Sequence, residues 1–190
     1  MYGAGENEQL LAHALKTQRD KVFICTKFGI VRGPNGSFDG VRGDRAYVRE
    51  ACERSLERLG IDQIDLYYQH RVDPNTPIEE TMAALKELQD EQKIRYIGLS
   101  EVSAETLRRA YKVAPVAAIQ EEYSLCTTDI ETNGVMDACK ELGVQVVAYS
   151  PLCESPTAVP GLSSAPLTRA LPFSRPRPLW PRRQQVAHAG

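Results

Sequence analysis

Between residues 6 and 150 the chain alternates two hydrophobic patterns. Residues 21–29, 62–70, 93–100, 116–124 and 144–152 are short, nearly continuous apolar runs rich in β-branched and aromatic side chains, which predicts buried strands. Residues 7–16, 45–60, 77–90, 103–112 and 132–143 place apolar positions at helical spacing, which predicts amphipathic helices. The end signals agree. Gly60 and Gly143 stop two of the helices, and Pro77 opens another with Glu79 and Glu80 in its first turn. Ser103 followed by Thr106 is a poor match to a capping box. Residues 29–43, with five glycines, read as a long loop.

Strands apolar on both faces, alternating with amphipathic helices at about 30 residues per unit, predict a parallel sheet covered by helices. An open doubly wound sheet and a closed eight-stranded barrel both satisfy that pattern. No strand is followed by G-x-G-x-x-G, and residues 3–8, G-A-G-E-N-E, match it only in part, which weakens the dinucleotide-fold reading.

Composition changes the picture only near the end. The 190 residues carry a net charge of −2, with 42% hydrophobic and 25% charged residues, so neither nucleic acid nor an anionic membrane is an expected partner. No apolar run approaches the ~20 residues of a membrane span, and no secretory signal is recognisable. The five cysteines are odd in number and no two are two residues apart. Neither a metal site nor a disulfide framework is expected, a reducing, cytoplasmic setting is, and Cys25, Cys52, Cys126 and Cys139 are expected to be small buried hydrophobes. Residues 151–190 hold eight of the twelve prolines, five arginines, no lysine and a single acid, Glu154. That density of proline predicts a disordered tail, in which R-P-R-P-L-W-P could also serve as a polyproline ligand.

Candidate chemistry sits at the strand ends. Lys27, His70, Ser100, Gln120 and Tyr149 each close an apolar run. In a (β/α)8 barrel the C-terminal strand ends form one rim, where active sites lie. A lysine ammonium beside a phenol lowers the phenol's pKa from its usual ~10, and a histidine can orient a carbonyl oxygen. Tyrosine, lysine and histidine on one rim suit protonation of a carbonyl oxygen while hydride, which only a cofactor can supply, arrives at carbon. A barrel lyase or hydrolase using Lys27 as a Schiff base is the competing chemistry.

In order, Y-G-x-G-x-N-E, T-K-F-G, I-D-L-Y-Y-Q-H, G-L-S, I-Q-x-E-Y-S and A-Y-S-P-L resemble the aldo-keto reductase superfamily over residues 1–152. The closest likeness is to NADP-dependent members with the Y-Y-Q-H-R-V-D-P signature. The resemblance implies an α/β fold, a partial (β/α)8 TIM barrel holding about strands three to seven, with residues 153–190 as the tail. It implies reduction of a small-molecule carbonyl by NADPH, with Tyr2 as general acid, Lys27 lowering its pKa and His70 positioning the carbonyl. Ser100 and Gln120 would hydrogen-bond the nicotinamide carboxamide, Tyr149 would stack on the ring, and Ser150 and Leu152 would meet the pyrophosphate. Glu101 stands where many relatives have asparagine, and residues 29–43 would form a specificity loop. A non-catalytic NADP-binding regulatory subunit is the alternative.

The resemblance also implies that the family's tetrad aspartate, its first two strands and its eighth strand fall outside this chain. At the other end C-E-S-P stands where the family continues G-R-G-F-L-T-G. A Cys-Glu-Ser codon run can contain GTGAGT, a splice-donor sequence, so read-through into an intron is the expected origin of the tail. A chain so truncated is expected to be poorly soluble and nearly inactive.

Overall fold

The computed structural model describes residues 5–33 and 35–153, so Tyr2 and the tail beyond Cys153 lie outside the described residues. The main sheet has five strands, β1 (Cys25–Phe28), β4 (Ile64–Gln69), β5 (Ile94–Ser100), β6 (Val116–Glu122) and β7 (Gln145–Tyr149), in that spatial order. Every neighbouring pair is parallel. The helices are α1 (Glu6–Gln18), α2 (Arg45–Leu59), α3 (Ile78–Asp90), α4 (Ala104–Val113) and α5 (Val135–Leu142), each packed on the next.

Local chemistry sets the helix ends. Asp44 accepts the Tyr47 N–H at 3.1 Å to open α2, and Gly60, at φ 64°, closes it with its N–H on the Leu56 and Glu57 carbonyls. Ser103 does cap α4, accepting the Thr106 N–H at 3.1 Å, although Thr106 stands where a capping box needs a Glu or Gln.

The sheet separates two cores. Phe28, Tyr67, Ile97, Leu99 and Ile119 meet the helices through residues such as Val48, Met82, Leu85 and Leu107. On the opposite face Leu66, Tyr68 and Ala118 form a small cluster flanked by Tyr96 and Ala117. Gly98 makes that second cluster possible, because a Cβ there would stand 2.4 Å from the Tyr68 ring.

Two expectations are corrected. Residues 29–43 are not all loop. They contain an antiparallel hairpin of β2 (Ile30–Arg32) and β3 (Phe38–Val41), whose short β-branched and aromatic segments are masked in sequence by the glycines between them. The cysteines also differ from expectation. Cys52 and Cys139 are buried, and burial pushes their thiols up to about 12 and about 11. Cys25 is exposed, and Cys126 forms a disulfide with Cys153. The parallel pairing of β6 with β7 brings together the loops that follow them, and the Cα atoms of this pair lie 6.2 Å apart although 27 residues separate them in sequence.

Candidate active site

The register of the sheet collects the polar strand ends on one face. Lys27 pairs with Tyr68 and Tyr68 with Gly98. Ser100 pairs with Gln120, Gln120 with Val147, and Glu122 with Tyr149. Side chains alternate along a strand, so Lys27, Tyr68, Ser100, Gln120 and Tyr149 share the face of the small inner cluster, and His70 continues it just beyond β4. All lie at the C-terminal ends of parallel strands. Ser150 and Leu152 follow on the turn after β7, Ser150 at φ 49° and Leu152 78% exposed.

Two of these side chains are buried with polar atoms unused. His70 is 9% exposed, and its Nδ1 has no hydrogen-bond partner. Burial first, then the charges of Lys27 and Arg71, lower its pKa to about 4, so at neutral pH it is an uncharged imidazole. Ser100 is 2% exposed, and its Oγ is likewise unpartnered. Buried polar atoms are ordinarily satisfied; Tyr67 Oη and the Gln69 amide are unpartnered as well but lie on the helix side of the sheet, which leaves His70 Nδ1 and Ser100 Oγ as the unpartnered pair on the inner face among the described residues. An amide or carbonyl oxygen and an amide N–H suit this donor set, which is the fit a nicotinamide carboxamide and a carbonyl substrate require.

Several interactions of the site were not legible beforehand. Burial, then the Glu101 carboxylate, raise the Tyr149 phenol to about 12. Glu101, at φ 53°, is held by the Glu122 N–H at 3.0 Å. Glu121, on the helix side of β6, is 5% exposed and accepts the Val102 N–H. Glu8 is 5% exposed and accepts from the Thr26 hydroxyl and from Arg58 Nε, both at 2.6 Å. Burial alone would raise its carboxyl, but these bonds outweigh it and hold the group below the usual carboxylate range. The network fastens the start of α1 to the residue next to Lys27. Its one signal in the sequence was the closing Glu of Y-G-x-G-x-N-E. No helix among the described residues is long and apolar enough to cross a membrane.

A sequence model of the Aldo/keto reductase family matches residues 1–156. The aldo-keto reductase str7 of Strobilurus tenacellus is 52% identical over 152 residues, covering 78% of this chain and 44% of that protein. A glycerol dehydrogenase structure from Gluconobacter oxydans superposes with a TM-score of 0.75 at 29% identity, over 87% of this chain and 52% of that one. An aldo/keto reductase from Klebsiella pneumoniae, solved with NADP and acetate, gives a TM-score of 0.67 at 31% identity, over 80% of this chain and 50% of that one. The chain thus spans about half the length of these relatives, and its five-stranded sheet is part of a (β/α)8 barrel. With that sheet, that shared polar face and a family match over most of its length, the chain belongs to the Aldo/keto reductase family.

Proposed function

We propose that residues 1–152 are the NADP(H)-binding and catalytic part of a reductase that converts small aldehydes or ketones to alcohols, with residues 153–190 forming a separate tail. The observation that carries this reading is the pair of unpartnered buried atoms, His70 Nδ1 and Ser100 Oγ, on the face that Lys27 shares. Bound NADPH supplies the hydride. Tyr2 gives its phenolic proton to the carbonyl oxygen. The Lys27 ammonium lowers the pKa of that phenol, and His70, uncharged at neutral pH, donates a hydrogen bond that orients the carbonyl. The Ser100 hydroxyl and the Gln120 amide hold the nicotinamide carboxamide, and Tyr149 covers the ring. Ser150 and Leu152 meet the pyrophosphate.

The 190-residue chain by itself turns over little or nothing under this proposal. It spans about half the length of its relatives, and Lys27 and Tyr149 both lie on strands that have a neighbour on one side only among the described residues. The test is a graft of residues 1–152 into the matching part of the Strobilurus tenacellus protein. NADPH-dependent reduction of a test aldehyde is expected from the graft and not from the short chain, and Tyr2→Phe is expected to cost the graft about a hundredfold or more in kcat. Unchanged kcat in Tyr2→Phe would remove Tyr2 as the acid. Family-like rates from the short chain would overturn its assigned inactivity.

A further inference from the structure

A cleft of about 390 Å³ opens beside the proposed reaction centre, between the start of α1, helix α2, strand β1 and the β2–β3 hairpin. Lys27 and His70 are among its lining residues, together with Arg32, Arg42, Arg54 and Arg58. Glu50 is the one acid in its wall among the described residues. Three of the arginines are held in place. Arg42 makes a two-pronged contact with Asp44 at 2.8 and 2.9 Å, Arg54 pairs with Glu50, and Arg58 is fixed by the buried Glu8. The Arg42 and Arg54 guanidinium carbons also lie 4.8 and 5.8 Å from the Tyr47 ring centroid.

Arg32 is different. Its guanidinium donates to the Gly36 carbonyl at 3.2 Å, and no carboxylate lies within ion-pair distance of it among the described residues. Cationic character reaches the reaction centre, since Lys27, Arg71 and Arg32 all act on His70 as positive charges. A cleft whose positive groups exceed its acids concentrates anions. A guanidinium whose charge no carboxylate already neutralises can meet a ligand carboxylate with two parallel N–H donors.

Resting on the reductase reading above, we infer that this cleft recognises an anionic group carried by the carbonyl substrate, so that the preferred substrate is a carboxylate-bearing aldehyde or ketone with Arg32 as its principal charge partner. A cofactor phosphate is the other source of negative charge, but the geometry disfavours it. The cleft lies at the β1 edge of the sheet, whereas Tyr149 and Ser150 lie at the β7 edge. Four strand spacings separate those edges, roughly 19 Å along the sheet.

The experiment uses the full 190-residue chain without cofactor. Binding of 4-carboxybenzaldehyde and of its neutral methyl ester is measured by calorimetry or ligand-observed NMR, at low and high salt. The acid is expected to bind about tenfold more tightly than the ester, and to lose that advantage in Arg32→Gln and at high salt. Arg54→Gln, at an exposed position on α2, is expected to weaken the acid by a smaller factor, and circular dichroism checks that both variants fold. Equal binding of acid and ester, binding of neither, or an acid preference that survives Arg32→Gln would overturn the inference. Displacement of the acid by NADP+ or by adenosine 2′-phosphate would assign the cleft to a cofactor phosphate and overturn it equally. Charge selectivity is read here without turnover, so a graft that never oxidises NADPH would sink the reductase reading while leaving this result to stand or fall separately.

Discussion

Strands β4 and β7 carry comparable apolar sequences, I-D-L-Y-Y-Q and Q-V-V-A-Y, yet they live in different surroundings. Every residue of β4 is buried, whereas none of β7 is, and Val147 at its centre is 38% exposed. The cause is position. β4 lies between β1 and β5, while β7, although α5 packs against it, has β6 as its one neighbouring strand among the described residues. An apolar strand is buried by its neighbours and not by its own composition. The polar face inherits the contrast, because His70, Ser100 and Gln120 stand on the enclosed middle strands while Lys27 and Tyr149 stand on the edges.

The sharpest way to break this comparison is truncation on each side of it. Leu99→Ala, at a fully buried position in β5, is expected to cost about 3–4 kcal/mol in urea denaturation, against less than about 1 for Val147→Ala. Similar losses at the two sites would mean that β7 is as well enclosed as the middle strands of the sheet. Next in size is the Cys126–Cys153 bond, which ties the loop after β6 to the turn after β7. Reduction is expected to cost about 2–3 kcal/mol and to raise amide exchange in residues 123–127 and 150–153 while leaving β4 protected. Equal acceleration in β4 would show one cooperative unit without a weaker edge.

Gly98→Ala tests the inner face of the middle strands. Its Cβ would press on the Tyr68 ring, so a loss of about 2 kcal/mol is expected, and Tyr68→Leu in the same chain should recover part of it. A neutral Gly98→Ala would mean that the ring is not packed over β5. The smallest effect is in pH dependence. Burial first, then the Glu101 charge, hold the Glu121 carboxyl up at about 7 against an ordinary 4.5. Between those values the folded chain keeps a proton that the unfolded chain releases, so this group's contribution fades as pH rises through the window. His70 acts oppositely. Its folded pKa of about 4 lies below the ordinary 6.5, so its contribution is present above 6.5 and is lost as pH falls towards 4. Glu121→Gln is therefore expected to be more stable than the parent at pH 8, by an amount on the order of 1 kcal/mol, with little or no gain at pH 5. A gain that does not grow with pH would show that Glu121 is not a strained buried acid.

Much of this was readable from the chain because two periodicities agree with each other. Apolar runs of strand length each close on a polar residue, and the parallel register then puts Lys27, Ser100, Gln120 and Tyr149 on one face as a consequence of alternation. The features that escaped reading depend on partners distant in sequence. Glu8 meets Thr26 and Arg58 from 18 and 50 residues away, and no local pattern encodes that meeting. Cys126 and Cys153 are joined only because β6 and β7 are neighbours. The hairpin of β2 and β3 was hidden by its glycines, and the arginine cleft is assembled from four separate elements.

The central claim is that the inner face of these five strands is a cofactor platform organised around Ser100. The most direct measurement is a fluorescence titration of NADPH into the graft carrying residues 1–152, with and without Ser100→Ala. Loss of the buried hydroxyl should weaken NADPH about five- to tenfold while the fold and the midpoint of urea denaturation stay close to the parent's. If Ser100→Ala binds NADPH as tightly as the parent, the unpartnered hydroxyl is not waiting for the carboxamide, and the placement of the cofactor on this face is wrong.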